Sequence, residues 1–243
     1  MIKNYLKVAV RHLFKQKLFS LLNIFGLAVG IGCCVLIALY INHEWSFDEF
    51  HAESDRIYRI WVKEDYGEGE VYFNTVTPIV LKPTLEQNIP EIAAATRRYA
   101  FTDLVKRRDK QQSFSQPIQM VDPGFFEMFD FKFLRGSSDQ LFSAPGNVAL
   151  TPAAAQRYFG DEDPLQQTNL IKIGQHYEPF TVTGLLEKPP AHSSIRYEML
   201  IPLSNSQRMF SSRAQTSWFN VAAETYVMLD ESASSADVRG KFA

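Results

Sequence analysis

From Leu18 to Ile41 the chain reads LFSLLNIFGLAVGIGCCVLIALYI, 24 residues without a charge, the longest apolar run in the sequence. A helix of that length rises about 36 Å, enough to cross a hydrocarbon layer of about 30 Å with some tilt. A buried helix of a soluble domain rarely stays uncharged for so long. A cleaved secretory signal has shorter basic and apolar regions and ends at a small-residue cleavage site, whereas Asn42-His43-Glu44-Trp45 follows here. The pattern predicts a retained membrane span over 18–41. Ahead of it, Leu6, Val10, Leu13 and Phe14 recur near one side with basic residues between them, as on an amphipathic helix lying at the membrane surface within 1–17.

After the span the period changes. RIYRIWVKE (56–64) alternates like a strand, GEGE supplies a turn, and a second strand is expected at 71–76. Thr77-Pro78 predicts the start of a helix running to about Asn88, with Pro at the first helical position. Segments 92–101 and 103–108 read as two strands about a short turn, and 113–121 as another. Asp122 ahead of Pro123 predicts an N-cap for a short helix with Phe125, Phe126, Met128 and Phe129, followed by alternating Phe131 and Phe133. Strand 148–150 leads through Thr151-Pro152 to a two-turn helix that Gly160 stops in the left-handed conformation. Further strands are expected at 170–173, 177–186, 195–201 and 224–229. A Ser-rich stretch from 204 to 217 has room for a short helix, and a last helix is expected to begin within 232–243.

Charge adds topology. Lys3, Lys7, Arg11, Lys15 and Lys17 precede the span with no acid among them, while Glu44, Asp48, Glu49, Glu53 and Asp55 follow it closely. With a whole-chain net charge of −2 the body is acidic, which fits a cytoplasmic N-terminus and a body outside the membrane, and disfavours nucleic acid as a partner. Tyr40 and Trp45 fall where an interfacial aromatic belt belongs. Phe is abundant at 19 residues, and its concentration in MVDPGFFEMFDFKFLRG is most simply core packing. Cys33 and Cys34, the chain's two cysteines, are adjacent inside the span and act as small hydrophobes, so no disulfide framework is expected.

Candidate chemistry is sparse. No phosphate loop, dinucleotide fingerprint or nucleophile elbow occurs, so ATP hydrolysis by this chain and a catalytic role are not expected. His43 with Glu44 and His51 with Glu53 match no zinc spacing, and Asp161, Glu162 and Asp163 lack a calcium-loop pattern; neither metal nor cofactor is expected. Arg97-Arg98 and Lys106-Arg107-Arg108 form a local basic patch that reads by default as ordinary surface, with partner or lipid-headgroup contact as the lesser alternative. Gly26 and Gly30 make a GxxxG pair, with Ala28 and Gly32 four apart beside it, and small residues of this kind let another helix approach closely.

Three stretches together resemble the MacB/FtsX-like family of bacterial ABC-transporter permeases, of the Bacteroidetes type. They are the opening YLKVAVRHLFKQKLFSLLNIFGLAVGIGCCVLIALYINHEWSFDEFHAESDRIYRI, then PGFFEMFDFKFLRG, then VALTPAAAQRYFGDEDPLQQ with FTVTGLLEKPPAHSSIRYEMLIPL. The resemblance implies an α+β architecture: a single N-terminal membrane helix in the bacterial inner membrane, then a MacB-like periplasmic core domain over 42–243. In that core, 56–121 and 218–243 would supply strand–helix–strand units and about 122–217 a β-rich subdomain. It further implies a non-catalytic permease subunit, a homodimer or paired permease in full length, that couples a separate cytoplasmic ABC ATPase to the outer domain by mechanotransmission. Exported substrates in such a family range over antibiotics, peptides, toxins and lipoproteins. Three later spans would lie beyond Ala243, so on this pattern the chain is C-terminally incomplete. Gly26, Ala28, Gly30 and Gly32 are the expected helix-packing positions, and Tyr40, Trp45, Phe47 and Phe50 the expected membrane-interface coupling positions. The alternative is a membrane-tethered sensor or adaptor whose outer domain binds a peptide or protein; an outer-domain hydrolase ranks third.

Overall fold

The computed structural model describes residues 2–65, 67 and 69–242, in two units, Met1–Glu49 and Phe50–Ala243. The first unit is helical: α1 (Ile2–Lys15) and α2 (Lys17–Trp45), separated by Gln16 at φ −115°, ψ 61°. The 29 residues of α2 rise about 44 Å and none is buried. Its length and composition suit a membrane crossing, and it overruns the expected span by about one turn at Asn42–Trp45. On α1, Phe14 is exposed; the side chains of Leu6, Val10 and Leu13, on which the amphipathic reading rests, lie outside the described residues.

In the second unit a turn of 3₁₀ helix, Ser54–Arg56, leads to β1 (Ile57–Arg59), β2 (Val62–Asp65), β3 (Val71–Asn74), β4 (Thr77–Pro78) and α3 (Leu81–Asn88). Next come β5 (Ile92–Arg107), β6 (Ser113–Val121), α4 (Phe125–Met128), β7 (Phe133–Arg135), α5 (Ser138–Phe142), β8 (Asn147–Leu150) and α6 (Pro152–Phe159). The chain finishes with β9 (Thr168–Ile173), β10 (His176–Leu186), β11 (Met199–Pro202), α7 (Ser206–Met209), α8 (Ser212–Thr216), β12 (Val221–Leu229) and α9 (Ser235–Arg239).

Strands β5, β6, β11, β8, β10 and β9 follow one another in hydrogen-bonded order, and β9 pairs back onto β5 through Val105↔Ile171 and Arg107↔Asn169, closing a barrel. Outside the barrel the first half of β5 pairs with β12, which carries β1 and β4. The second unit is thus a mixed α/β layer fused to a closed β-barrel through one strand, and the barrel draws strands from both sides of residue 122.

Burial explains which residues make which strands. Val148 and Leu150 of β8, Ile118 and Met120 of β6 and Met199 and Ile201 of β11 point into the barrel. Their neighbours Ala149, Val121 and Leu200 point the other way, into an aromatic cluster. Strands buried on both faces read as continuous apolar runs, which is what NVAL and MLIP are. The barrel is filled by α6, which buries Ala154, Ala155, Tyr158 and Phe159 and is capped by the Thr151 hydroxyl accepting from the Ala154 N–H. The aromatic cluster holds Phe125, Phe129, Phe131, Tyr197 and Tyr226, with Phe50 and Phe126 packed against it. A third cluster seats α3 and α9 on β5 and β12 through Leu81, Leu85, Ala95, Val227 and Val238. At β7–β10, a Cβ on Gly184 would meet the Phe133 ring at 2.7 Å, so only glycine allows that ring to lie against the strand.

Several local expectations give way to tertiary structure. Thr77-Pro78 does not open a helix. Its Thr hydroxyl bonds the Ala223 carbonyl at 2.8 Å, Pro78 sits opposite Val221 in a two-residue strand, and α3 begins at Leu81. Residues 92–107 form one strand instead of two, because Thr102 lies in unbroken register with Pro117. The strand expected from Ile195 starts only at Met199: the Ser193 hydroxyl accepts from the Ile195 N–H at 3.2 Å, and Ile195 and Tyr197 turn into the aromatic cluster. Phe131 is buried ahead of β7, not on it. Gly160 ends α6 with φ +60° but ψ −128°, a glycine-only conformation outside the left-handed helical one.

Phe125 is fully buried between Phe126, Phe129 and Phe131, so Phe125→Ala is expected to destabilise the protein by about 3–5 kcal/mol, read as a lower urea midpoint.

Candidate functional site

Helical geometry refines the small-residue pattern of α2. At about 100° per residue Gly26 and Gly30 share one face, while Ala28 and Gly32 lie about 200° round, on the opposite one and not beside the first. A Cβ built on Gly26, Gly30 or Gly32 would meet nothing within 4 Å, so both notches are open. Tyr40 is exposed on the same helix, and Trp45 is its last residue. Phe47 is half-buried with its ring edge-on to His43 at 5.3 Å.

Phe50 opens the second unit and joins its aromatic cluster, 4.0 Å from the His51 ring and 5.9 Å from Phe131. Behind it His51 is buried, and its Nδ1 accepts the Asp130 N–H at 3.0 Å. The Asp130 carboxylate in turn accepts the Ala52 N–H at 2.7 Å. The start of the body is thereby tied into its core by rings and backbone bonds. The His192 ring lies 5.8 Å from Phe50.

One concave site of the body lies where β5 passes from the α/β layer to the barrel. It is a cleft of about 350 Å³ lined by Ile79, Arg97, Asp122, Phe142, Leu203 and Gln215, among others. Arg97 grips Asp122 with two bonds, Nε to Oδ2 at 2.8 Å and Nη2 to Oδ1 at 3.0 Å, and its Nη1 reaches the Ile79 carbonyl at 2.7 Å. Asp122 therefore does not cap α4; its carboxylate is drawn to Arg97 instead, and Gly124 stands at the helix start. The pair neutralises itself, and the lining contains no histidine or cysteine. Among the described residues no group of three His, Cys, Asp or Glu side chains is placed to hold a metal ion.

Both charge runs singled out in the sequence are engaged internally. Arg98 reaches Glu224 at 3.0 Å and Gln119 at 3.2 Å. Arg107 holds Glu162 by a two-bonded fork and also meets Asp109, and Arg135 holds Asp163 likewise. These arginines keep Glu162 and Asp163 below the usual carboxylate range, as Arg157 and Gln116 do for Glu198. Burial pushes the Tyr158 hydroxyl up to about 12, where it stays protonated and donates to Gln116 at 3.0 Å. These contacts tie β5, β6 and β7 to α6 and to the loop that follows it.

The sequence reading missed the exposed aromatics of the body. Trp61 and Phe73 pack edge to face at 4.8 Å on the β2–β3 hairpin, and Trp218 and Phe219 occupy a turn before β12. An alternating strand pattern is the same whether its aromatic face is buried or bare, so only the fold reveals them.

The family model described as MacB-like periplasmic core domain matches residues 20–243. A domain of a putative permease protein from Porphyromonas gingivalis superposes with a TM-score of 0.66 at 20% identity, covering 79% of this chain and 80% of that one. The periplasmic region of MacB from Actinobacillus actinomycetemcomitans superposes with a TM-score of 0.54 at 14% identity, covering 76% and 80%. No curated protein sequence matches the chain.

Asp122→Ala would strand Arg97 in a site where their side chains are only 17% and 10% exposed, so a loss of about 3 kcal/mol is expected in urea unfolding, partly restored by Arg97→Met in the same chain. The folded-state depression of Glu162, Asp163 and Glu198 contributes stability that is present above the unfolded carboxylate pKa and lost as pH falls through the folded values. The melting temperature should therefore drop below about pH 4, and Arg107→Gln with Arg157→Gln should flatten that slope.

Proposed function

The chain belongs to the family of the MacB-like periplasmic core domain, and from that membership we propose that it serves as the non-catalytic membrane subunit of an ABC-type export or mechanotransmission system. The carrying observation is the match over 20–243, which takes in one apolar helix together with the whole body. A cytoplasmic ABC ATPase supplies the energy, and this chain conveys the resulting movement from the membrane to the periplasmic domain.

The requirements of that role are mechanical. A helix that relays movement needs close neighbours, and the notches at Gly26/Gly30 and at Ala28/Gly32 accept helices on two opposite faces. The two faces suit a bundle of several spans, whether from one full-length permease or from a homodimer or paired permease. Tyr40 and Trp45 anchor the helix at the interface, and Phe47 and Phe50 mark the way into the body. Phe50 is packed against His51 and Phe131, a stiff entry point.

The test is co-purification of the full chain, in detergent, with a cytoplasmic ABC ATPase produced in the same cells. The reading expects a stable complex whose ATP hydrolysis exceeds that of the ATPase alone. Gly26→Ile with Gly30→Ile should weaken helix association about tenfold, equivalent to about 1.4 kcal/mol, while the body keeps its melting temperature. A chain that binds no ATPase and leaves hydrolysis unchanged would instead fit the membrane-tethered sensor or adaptor.

A further inference from the structure

Among the described residues, hairpin β2–β3 stands apart from the main sheet, each strand pairing only with the other. It forms the whole connection between β1, which pairs with Tyr226–Met228 of β12, and β4, which pairs with Val221 and Ala223. An isolated two-stranded ribbon is marginal in water, and this one leaves Trp61 55% and Phe73 66% exposed. Along β12, just past the β4 pairing, the turn Ser217–Asn220 presents Trp218 at 51% and Phe219 at 98% exposure. The base of the hairpin is fixed by the Ile60 N–H bonding the Thr225 carbonyl at 2.9 Å, four residues and about 13 Å along β12 from Val221, where the Ser217–Asn220 turn joins the strand. That spacing along β12 is shorter than the width of one interface footprint of about 800 Å² per side.

Large aromatics are the commonest anchors of protein interfaces, and their burial would supply what the ribbon lacks by itself. Charge selects the partner. Among the described residues the hairpin carries Glu64, Asp65 and Glu70 against the single base Lys63. A second copy meeting it across a two-fold axis would set these acids against their equivalents, and an anionic bilayer would repel them. A basic protein surface would meet the acids with opposite charge and cover the rings.

We infer that the hairpin and the Trp218–Phe219 turn together form a docking surface for a separate, basic periplasmic protein. The inference needs the body to lie outside the membrane but does not need the ATPase, so a chain that failed to bind an ATPase would leave it standing.

The test places p-benzoylphenylalanine in the full chain, in its native membrane, at Phe73 in one variant, at Phe219 in a second and at Tyr177 on the barrel as a control, with irradiation of intact cells. The expected result is one adduct, shared by Phe73 and Phe219 and absent at Tyr177, identified by mass spectrometry as a protein of basic isoelectric point. Trp61→Ala should cut its yield about tenfold or more with the melting temperature unchanged. Raising salt, or Asp65→Lys with Glu70→Lys, should weaken binding of that purified protein to the full chain. Adducts between two copies of this chain, adducts with lipid alone, a captured protein that is acidic or indifferent to salt and to Trp61→Ala, or no adduct at all would each overturn the assignment. Labelling of the purified chain in phosphatidylethanolamine–phosphatidylglycerol vesicles identifies the lipid outcome.

Discussion

The continuity of β5 governs the body. Its first half is bonded to β12, its middle and second half to β6, and its end to β9, so one backbone of 16 residues belongs to both the α/β layer and the barrel. Arg98 marks the handover, standing opposite Glu224 on one side and Val121 on the other. A strand shared in this way removes the soft linker on which relative domain motion usually depends. The ion pairs at the handover add to it: Arg97 ties β5 to Asp122 at the end of β6, and Arg98 ties it to Glu224 of β12 and Gln119 of β6. Rotation of barrel against layer would break ladder bonds and partly buried ion pairs together.

That stiffness extends sideways through β6, β11 and β8. Their alternate residues fill the barrel on one face and the aromatic cluster on the other, so the two cores share a wall one strand thick. Close-packed interiors transmit strain because no void is available to absorb it. Phe50 and His51 sit at the end of this chain of contacts, packed on Phe129 and Phe131. A movement delivered at the start of the body therefore meets rings backed by a sheet, and a sheet backed by a filled barrel.

What could be read from sequence depended on whether a residue's partner was near in the chain. The span announced itself because 24 uncharged residues need no partner to be recognised. Thr151-Pro152 and Gly160 bounded α6 by rules confined to a single turn. Pro78, Asp122 and Ile195 misled for the converse reason. Each fits a local rule, yet Thr77 is claimed by Ala223, Asp122 by Arg97, and Ile195 by the cluster around Phe131. β5 looked like two strands because Thr102-Asp103 resembles a turn, and only barrel closure makes an unbroken strand the better solution. On α2 the small residues were visible, but their division between two opposite faces comes from angular geometry and not from spacing alone.

The use of charge in the body bears on how it recognises anything. Arg56, Arg97, Arg98, Arg107, Arg135 and Arg157 each hold a carboxylate of the same chain. The paired arginines brace strand to strand and helix to sheet, and the basic runs that suggested a headgroup or partner site are largely consumed in doing so. Ion pairs of this kind offer little to an outside group, because a newcomer must first displace a partner already in place. Exposed aromatic rings face no such competition: Phe219 gives up only water when covered. A body that neutralises its own cations while leaving Trp61, Phe73, Trp218 and Phe219 at its surface is built to be recognised by apolar shape, with the acids of the β2–β3 hairpin setting which sign of partner may approach.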